Sequence, residues 1–307
     1  MQSTAIMNKP QARRAPDAPD AAHDDVATAR ARTGPLRWAG AILLALIAAQ
    51  ILLFLVTNPR FEWAVVAKYL FAPSVLKGLG MTLALTVLAM CIGTVIGTIA
   101  ALALLADFRA GRRAAQAYLW VFRGTPLLIQ LIFWYNLAYL APEISIGLPF
   151  LPPLASWSTN VVITPMLAAL LGLGLAEGAY MTEIVRAGLL SVDPRQHDAA
   201  KAIGMRPAQA FFRILLPQAM RFIIPPTGNQ VISMAKATAL VSVIAMNDLL
   251  HSVQLIYNRT YEIVPLLMVA VIWYLAIITL LYALQSRLER HYSRGHNRVA
   301  ATAPAAI

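Results

Sequence analysis

Cysteine is almost absent from this sequence. Cys91 stands alone in 307 residues, which excludes a disulfide framework and any multi-cysteine metal centre. Charge is scarce too, at 13% of residues against 59% apolar, a balance far from that of a soluble domain and suited to a polytopic membrane protein. Catalytic signatures are missing. There is no G-x-x-x-x-G-K-S/T phosphate loop, no G-x-S-x-G elbow and no H-E-x-x-H helix, so neither ATP hydrolysis nor a membrane hydrolase is expected of this chain. The histidines His23, His197, His251, His291 and His296 form no pair with metal-ligand spacing, and no metal is assigned. Cys91 lies in an apolar run and reads as a buried, inert thiol.

What is abundant is long apolar sequence. After a polar tail, residues 1–35, expected to be disordered and cytoplasmic rather than a signal peptide, an uncharged run from Trp38 to Val56 is long enough to span a bilayer at ~20 residues per crossing. Further runs follow at Gly78–Ala106, Ala117–Ala141, Val161–Leu175, Pro217–Met246 and Ile263–Leu284. Six spans result, the fifth expected to be interrupted at Pro225-Pro226, and Gly93-x-x-x-Gly97 offers a close-approach face. Loops are expected at residues 57–76, 107–116, 142–160 and around Arg259 and Glu262.

The basic residues set direction. Eighteen Lys or Arg fall in the two tails, the 107–116 loop and residues 186–213, against three (Arg60, Lys68, Arg259) in the alternate loops. Retention of Lys and Arg in the cytoplasm puts both termini and the 192–217 segment inside. The net charge of +11 is thereby explained by topology and anionic lipid, and no nucleic-acid role is expected.

Within the membrane runs, ionisable groups are few. Glu183 and Arg186, three apart on one helical face, read as an intrahelical ion pair. Glu177 either lines a translocation path or is held by Asn229, Gln230 or a partner subunit. Tyr180, Asn229 and Gln230 are candidates to border the same path near the proline pair, and Lys236 is either a path residue or an interhelix one. Arg123 is a snorkelling anchor or a gating residue.

Between two apolar spans lies Val192–Pro217, VDPRQHDAAKAIGMRPAQAFFRILLP, polar yet carrying Ile203, Met205, Phe211 and Phe212 with no lipid to face. Small residues and Gly204 suit a short helix, a sharp turn and a second short helix. The spacing Asp198-Ala199-Ala200, Gly204, Ile214-x-Leu216-Pro217 closely resembles the EAA loop of ABC-transporter permeases, with Asp198 in place of the usual Glu. Gly80–Thr86, Arg123–Leu128, Glu177–Gly188, Leu216–Ala219 and Lys236-Ala237-Thr238 look like the polar-amino-acid permease family, apart from Ala239 where relatives often carry Ser. The similarity covers residues 76–290, leaving out the tail and the extra helix 36–57 as well as the C-terminal tail 291–307.

The resemblance implies an all-α polytopic fold, a five-helix type I importer core plus one N-terminal helix, in the bacterial inner membrane. It implies that Asp198, Ala199, Ala200, Gly204, Met205, Phe211 and Phe212 couple to a separate ABC ATPase subunit, which would hold ATP and Mg while this chain binds no cofactor. It also implies an extracytoplasmic substrate-binding protein and a second permease chain, identical or related, whose contact the small-residue faces around Gly93 and Gly172–Gly178 would suit. The alternative class is an ATP-independent secondary amino acid transporter.

Overall fold

The computed structural model describes residues 35–147 and 153–292, and divides at residue 58 into two units. The expected N-terminal tail and the end of the C-terminal tail lie outside the described residues. The first unit is one helix, α1 (Pro35–Thr57), apolar all round and without a charge from Trp38 onward, as a lipid-embedded helix must be.

The second unit begins with a 3₁₀ turn (Pro59–Phe61), then α2 (Trp63–Leu70) and the 33-residue α3 (Pro73–Leu105). Residues 57–76, expected as a loop, are thus mostly helical. α4 (Arg109–Gly124) and α5 (Leu127–Tyr135) meet at a 102° bend, so the third apolar run is two helices rather than one straight span. The bend follows from local chemistry. Pro126 removes an amide donor and pushes Thr125 to extended backbone, which ends α4. The basic 107–116 stretch, expected as a loop, is the first half of α4.

After α6 (Leu137–Leu140), β1 (Glu143–Ile146) and β2 (Ala155–Ser158) pair antiparallel, Ser145 opposite Ser156, and form a small hairpin that the all-helical expectation lacked. α7 (Thr159–Val162) leads to α8 (Pro165–Leu190). The Thr164 hydroxyl accepts from the Leu167 N–H at 3.2 Å, with Pro165 at the first helical position.

α9 (Pro194–Ala202) and α10 (Pro207–Ala210) follow, then a π-helical turn (Phe211–Leu215) that runs into α11 (Leu216–Ala237). α11 passes through Pro225 and Pro226 without a break, contrary to the expectation from those prolines. The tandem prolines forfeit two backbone donors, which a helix packed among other membrane helices tolerates. The interruption comes later, in the 3₁₀ segment Thr238–Ile244 and at Ala245, which is left-handed at φ 54°. Asp248 then caps α12 (Leu249–Thr260) by accepting from the Leu250 and His251 N–H groups, and α13 (Ile263–Tyr292) ends the described chain.

Among the described residues four helices are long and apolar enough to cross a bilayer. Six crossings result when the α4–α5 pair and the α11–α12 pair each count as one.

The bundle is centred on α3 and α8, which run parallel. Gly93 lies on Glu177 and Gly97 on Met181, so position advances together along both helices. An added Cβ at Gly97 would sit 2.6 Å from Met181 Cβ and 2.8 Å from the Gly178 carbonyl oxygen, closer than any side chain allows. Gly172 packs on Leu131, Gly174 on Ile92 and Gly178 on Tyr118 and Ile96. These small-residue faces, expected to suit a second permease chain, are therefore occupied inside this one. Van der Waals contact between close backbones replaces the hydrophobic drive that lipid cannot supply. Two apolar clusters result, one around Leu85, Leu131, Leu173 and Met181, the other around Val66, Val75, Leu249 and Leu266. Cys91, expected to be buried, faces outward from α3.

Candidate functional site

Glu177 sits midway along α8, 3% exposed, beside Gly93 of α3, where a larger side chain would displace it. Its carboxylate accepts from Gln230 Nε2 of α11 at 3.3 and 3.4 Å. No cation among the described residues pairs with it. A buried carboxylate held by one amide at long range is under-solvated, and it borders an open cavity of about 350 Å³. The same cavity is lined by Tyr180, Gln130, Thr125 and Ser233, with no Lys or Arg among the described residues. It collects groups from α5, α8 and α11 near the α4–α5 bend.

Gln130 was missed by sequence reading. Its Nε2 donates to the Phe122 and Thr125 carbonyl oxygens at 3.1 and 3.2 Å and to Thr125 Oγ1 at 2.8 Å, tying off the carbonyls left free where α4 stops. Its own Oε1 is buried without a partner among the described residues. The signal was available, because Gln130 is the one side chain with an amide in the otherwise apolar LLIQLIFWY. Tyr118 was missed as well; its hydroxyl donates to the Leu175 carbonyl oxygen at 2.6 Å and lies over Gly178, one residue from Glu177.

Two residues expected on the path lie outside this cavity. Asn229 accepts from Gln285 Nε2 of α13 at 2.8 Å and does not line the cavity. One position along a helix is a turn of 100°, so Asn229 and Gln230 face different neighbours. Lys236 is exposed and outside the cavity lining. Glu183 and Arg186 pair at 2.8 Å. Glu183 also meets Arg123 at 3.4 Å, whose guanidinium lies 5.7 Å from the Tyr180 ring centre, so Arg123 is a bridging residue rather than a lone anchor.

The second candidate region is the α9–α10 pair. The Asp193 carboxylate caps α9 through the Arg195 N–H at 2.9 Å. Gly204, at φ 72°, closes it: its N–H reaches the Lys201 oxygen at 2.9 Å and the Met205 N–H the Ala200 oxygen at 3.1 Å. That is a Schellman ending, which needs a left-handed residue after the helix cap. Arg206 N–H donates to Gln209 Oε1 at 3.2 Å and starts α10. Ala200 and Ala210 turn inward. Asp198 and Ala199 are exposed, Met205 and Phe211 half-buried, and Ile203 and Phe212 are 75% and 65% exposed. Phe211 and Phe212 stack edge to face at 5.1 Å. No cluster of three or more His, Cys, Asp or Glu that would hold a metal occurs among the described residues.

An apolar helical bundle with one buried carboxylate beside a cavity and a turned, apolar-tipped helical pair at one end is the architecture of a membrane transport subunit. The chain belongs to the family of binding-protein-dependent transport system inner membrane components, which it matches over residues 93–294. It is 40% identical over 86% of its length to 82% of the arginine transport system permease protein ArgU of Corynebacterium glutamicum. It is 35% identical over 73% of its length to 88% of the L-cystine transport system permease protein TcyB of Bacillus subtilis. The crystal structure of an amino acid ABC transporter with histidines superposes with a TM-score of 0.60 at 34% identity, covering 72% of this chain and 95% of that one.

Proposed function

We propose that this chain forms the translocation pathway of an ATP-driven amino acid importer in a bacterial inner membrane, with both termini cytoplasmic. The cavity beside Glu177 takes the ammonium-bearing substrate, and the α9–α10 pair docks on a separate ATPase subunit that holds ATP and Mg. An extracytoplasmic binding protein delivers the substrate, and a second permease chain, identical or related, completes the pore.

The observation that carries this reading is the exposure of Ile203 at the Gly204 turn and of Phe212 in the π-helical turn just after α10. Exposed apolar side chains on a segment outside the apolar spans call for a protein partner. The pathway residues are Glu177, Tyr180, Gln130 and Gln230. Alternating exposure of the cavity follows if the ATPase binds the two arrangements of the bundle with different affinity.

Co-purification of the detergent-solubilised chain with its candidate ATPases tests the docking, wild type against Gly204→Asp. A complex kept by wild type and lost by the variant is expected. A wild-type chain that binds no ATPase yet moves amino acids in liposomes without ATP overturns the reading in favour of a secondary transporter.

A further inference from the structure

A second polar cavity, of about 470 Å³, lies between α2, α3 and α12. Because α3 and α8 run parallel and α8 leads into α9, the start of α3 is at the end of the bundle away from the α9–α10 pair. Among the described residues, the ionisable groups in this cavity's wall, apart from the Tyr69 phenol, are two cations, Lys77 and Arg259, accompanied by Ser74, Ser252 and Asn247. Neither cation forms an ion pair with a described residue. The acid nearest in sequence to the wall residue Asn247 is Asp248, which is fully buried and accepts from the Leu250 and His251 N–H groups and the Tyr274 hydroxyl. Glu262, close to Arg259 in sequence, is not in the lining.

Both cations are exposed and share one cavity wall, so an anion seated there is attracted by both. The gap is also dimensioned by sequence. A Cβ on Gly78 would fall 2.2 Å from Ser252 Oγ and 2.6 Å from the Asp248 carbonyl oxygen, so α3 and α12 touch directly below the cavity and set its floor. The wall is also apolar in part: Leu255 and Ile256 belong to the lining, and Leu255 is exposed. An inorganic anion would leave that apolar wall uncovered. A phospholipid covers it with an acyl chain while its phosphate meets the cations and hydroxyls.

We propose that this cavity binds the phosphate headgroup of an anionic phospholipid, held by Lys77 and Arg259, with the acyl chains along Leu255 and Ile256. The site is separate from the Glu177 cavity, and neither depends on the other. It uses a cation, Lys77, that topology alone leaves without a task.

The purified full-length chain is to be incubated in mixed micelles containing phosphatidylglycerol or phosphatidylcholine of equal chain length, and retained lipid read by native mass spectrometry. Parallel samples carry inorganic phosphate or glycerol phosphate as competitors. Saturable retention of phosphatidylglycerol over phosphatidylcholine is expected. Loss of one cation is expected to weaken it about fivefold, and Lys77→Gln with Arg259→Gln roughly thirtyfold. Lys77→Arg should retain binding, and equal thermal unfolding of all variants confirms that the fold is kept. Equal lipid retention by wild type and the double variant overturns the proposal. So does displacement of the lipid by inorganic phosphate, which would make the cavity a free-anion site.

Discussion

Glu177 is a carboxylate inside an apolar bundle whose nearest neighbours are a glycine backbone and one glutamine amide. Holding such a group in the membrane costs about 2.5–3.5 kcal/mol on insertion scales. Gln230 alone is a weak recompense, and under the proposed function a substrate ammonium is the complement. Glu177→Gln removes the charge and keeps the shape. ATP-driven uptake in liposomes is expected to fall about tenfold or more, the scale of a lost hydrogen bond to a charged group, while the ATPase still co-purifies. Unchanged uptake would rule out the pathway role. Asn229→Ala breaks the contact with Gln285 outside the cavity. Thermal unfolding should show a loss of ~1 kcal/mol with an unchanged substrate concentration for half-maximal uptake. A shift in that concentration would return Asn229 to the path.

Between elements, the tightest dependence is that of α3 on α8. A leucine at Gly97 has to displace Met181 and the Gly178 carbonyl, for which the packed pair has no room. Gly97→Leu is expected to destabilise by about 3 kcal/mol, seen as loss of monodisperse protein on size exclusion. Wild-type behaviour would mean that the two helices are not held at this distance. The α4–α5 bend depends on Gln130, which serves three acceptors at once. Gln130→Leu leaves them unserved, and a loss of about 1–3 kcal/mol in thermal unfolding is expected. The tandem prolines of α11 show the opposite case: the local signal for a break is overruled, and the segment stays helical among the packed helices around it.

For the whole molecule, the proposed orientation makes the two ends of the bundle chemically distinguishable. The β1–β2 hairpin lies at the start of α8, and the α9–α10 pair at its end. On a Cys91→Ser background, Ser145→Cys is expected to react with a membrane-impermeant maleimide added to intact spheroplasts. Ile203→Cys should react only after permeabilisation. The reverse pattern would invert the chain in the membrane. Both probe positions are exposed, so labelling reports side and not burial.

Sequence by itself determined the class and the turned helical pair. Apolar run length, the sparing use of Lys and Arg, and a glycine that alone takes φ 72° cheaply are local properties, legible without knowing what packs where. It also singled out Glu177, because a charge in an apolar run is conspicuous. Tertiary structure decided the rest. It sent Gln230 to Glu177 and Asn229 to Gln285, spent the glycine faces inside the chain, turned Cys91 outward and brought Gln130 into the cavity wall. It brought Lys77 and Arg259, far apart in sequence, to one cavity. Which face of an all-apolar helix meets a neighbour depends on the helices around it, and a uniformly apolar sequence carries no periodic signal of that choice.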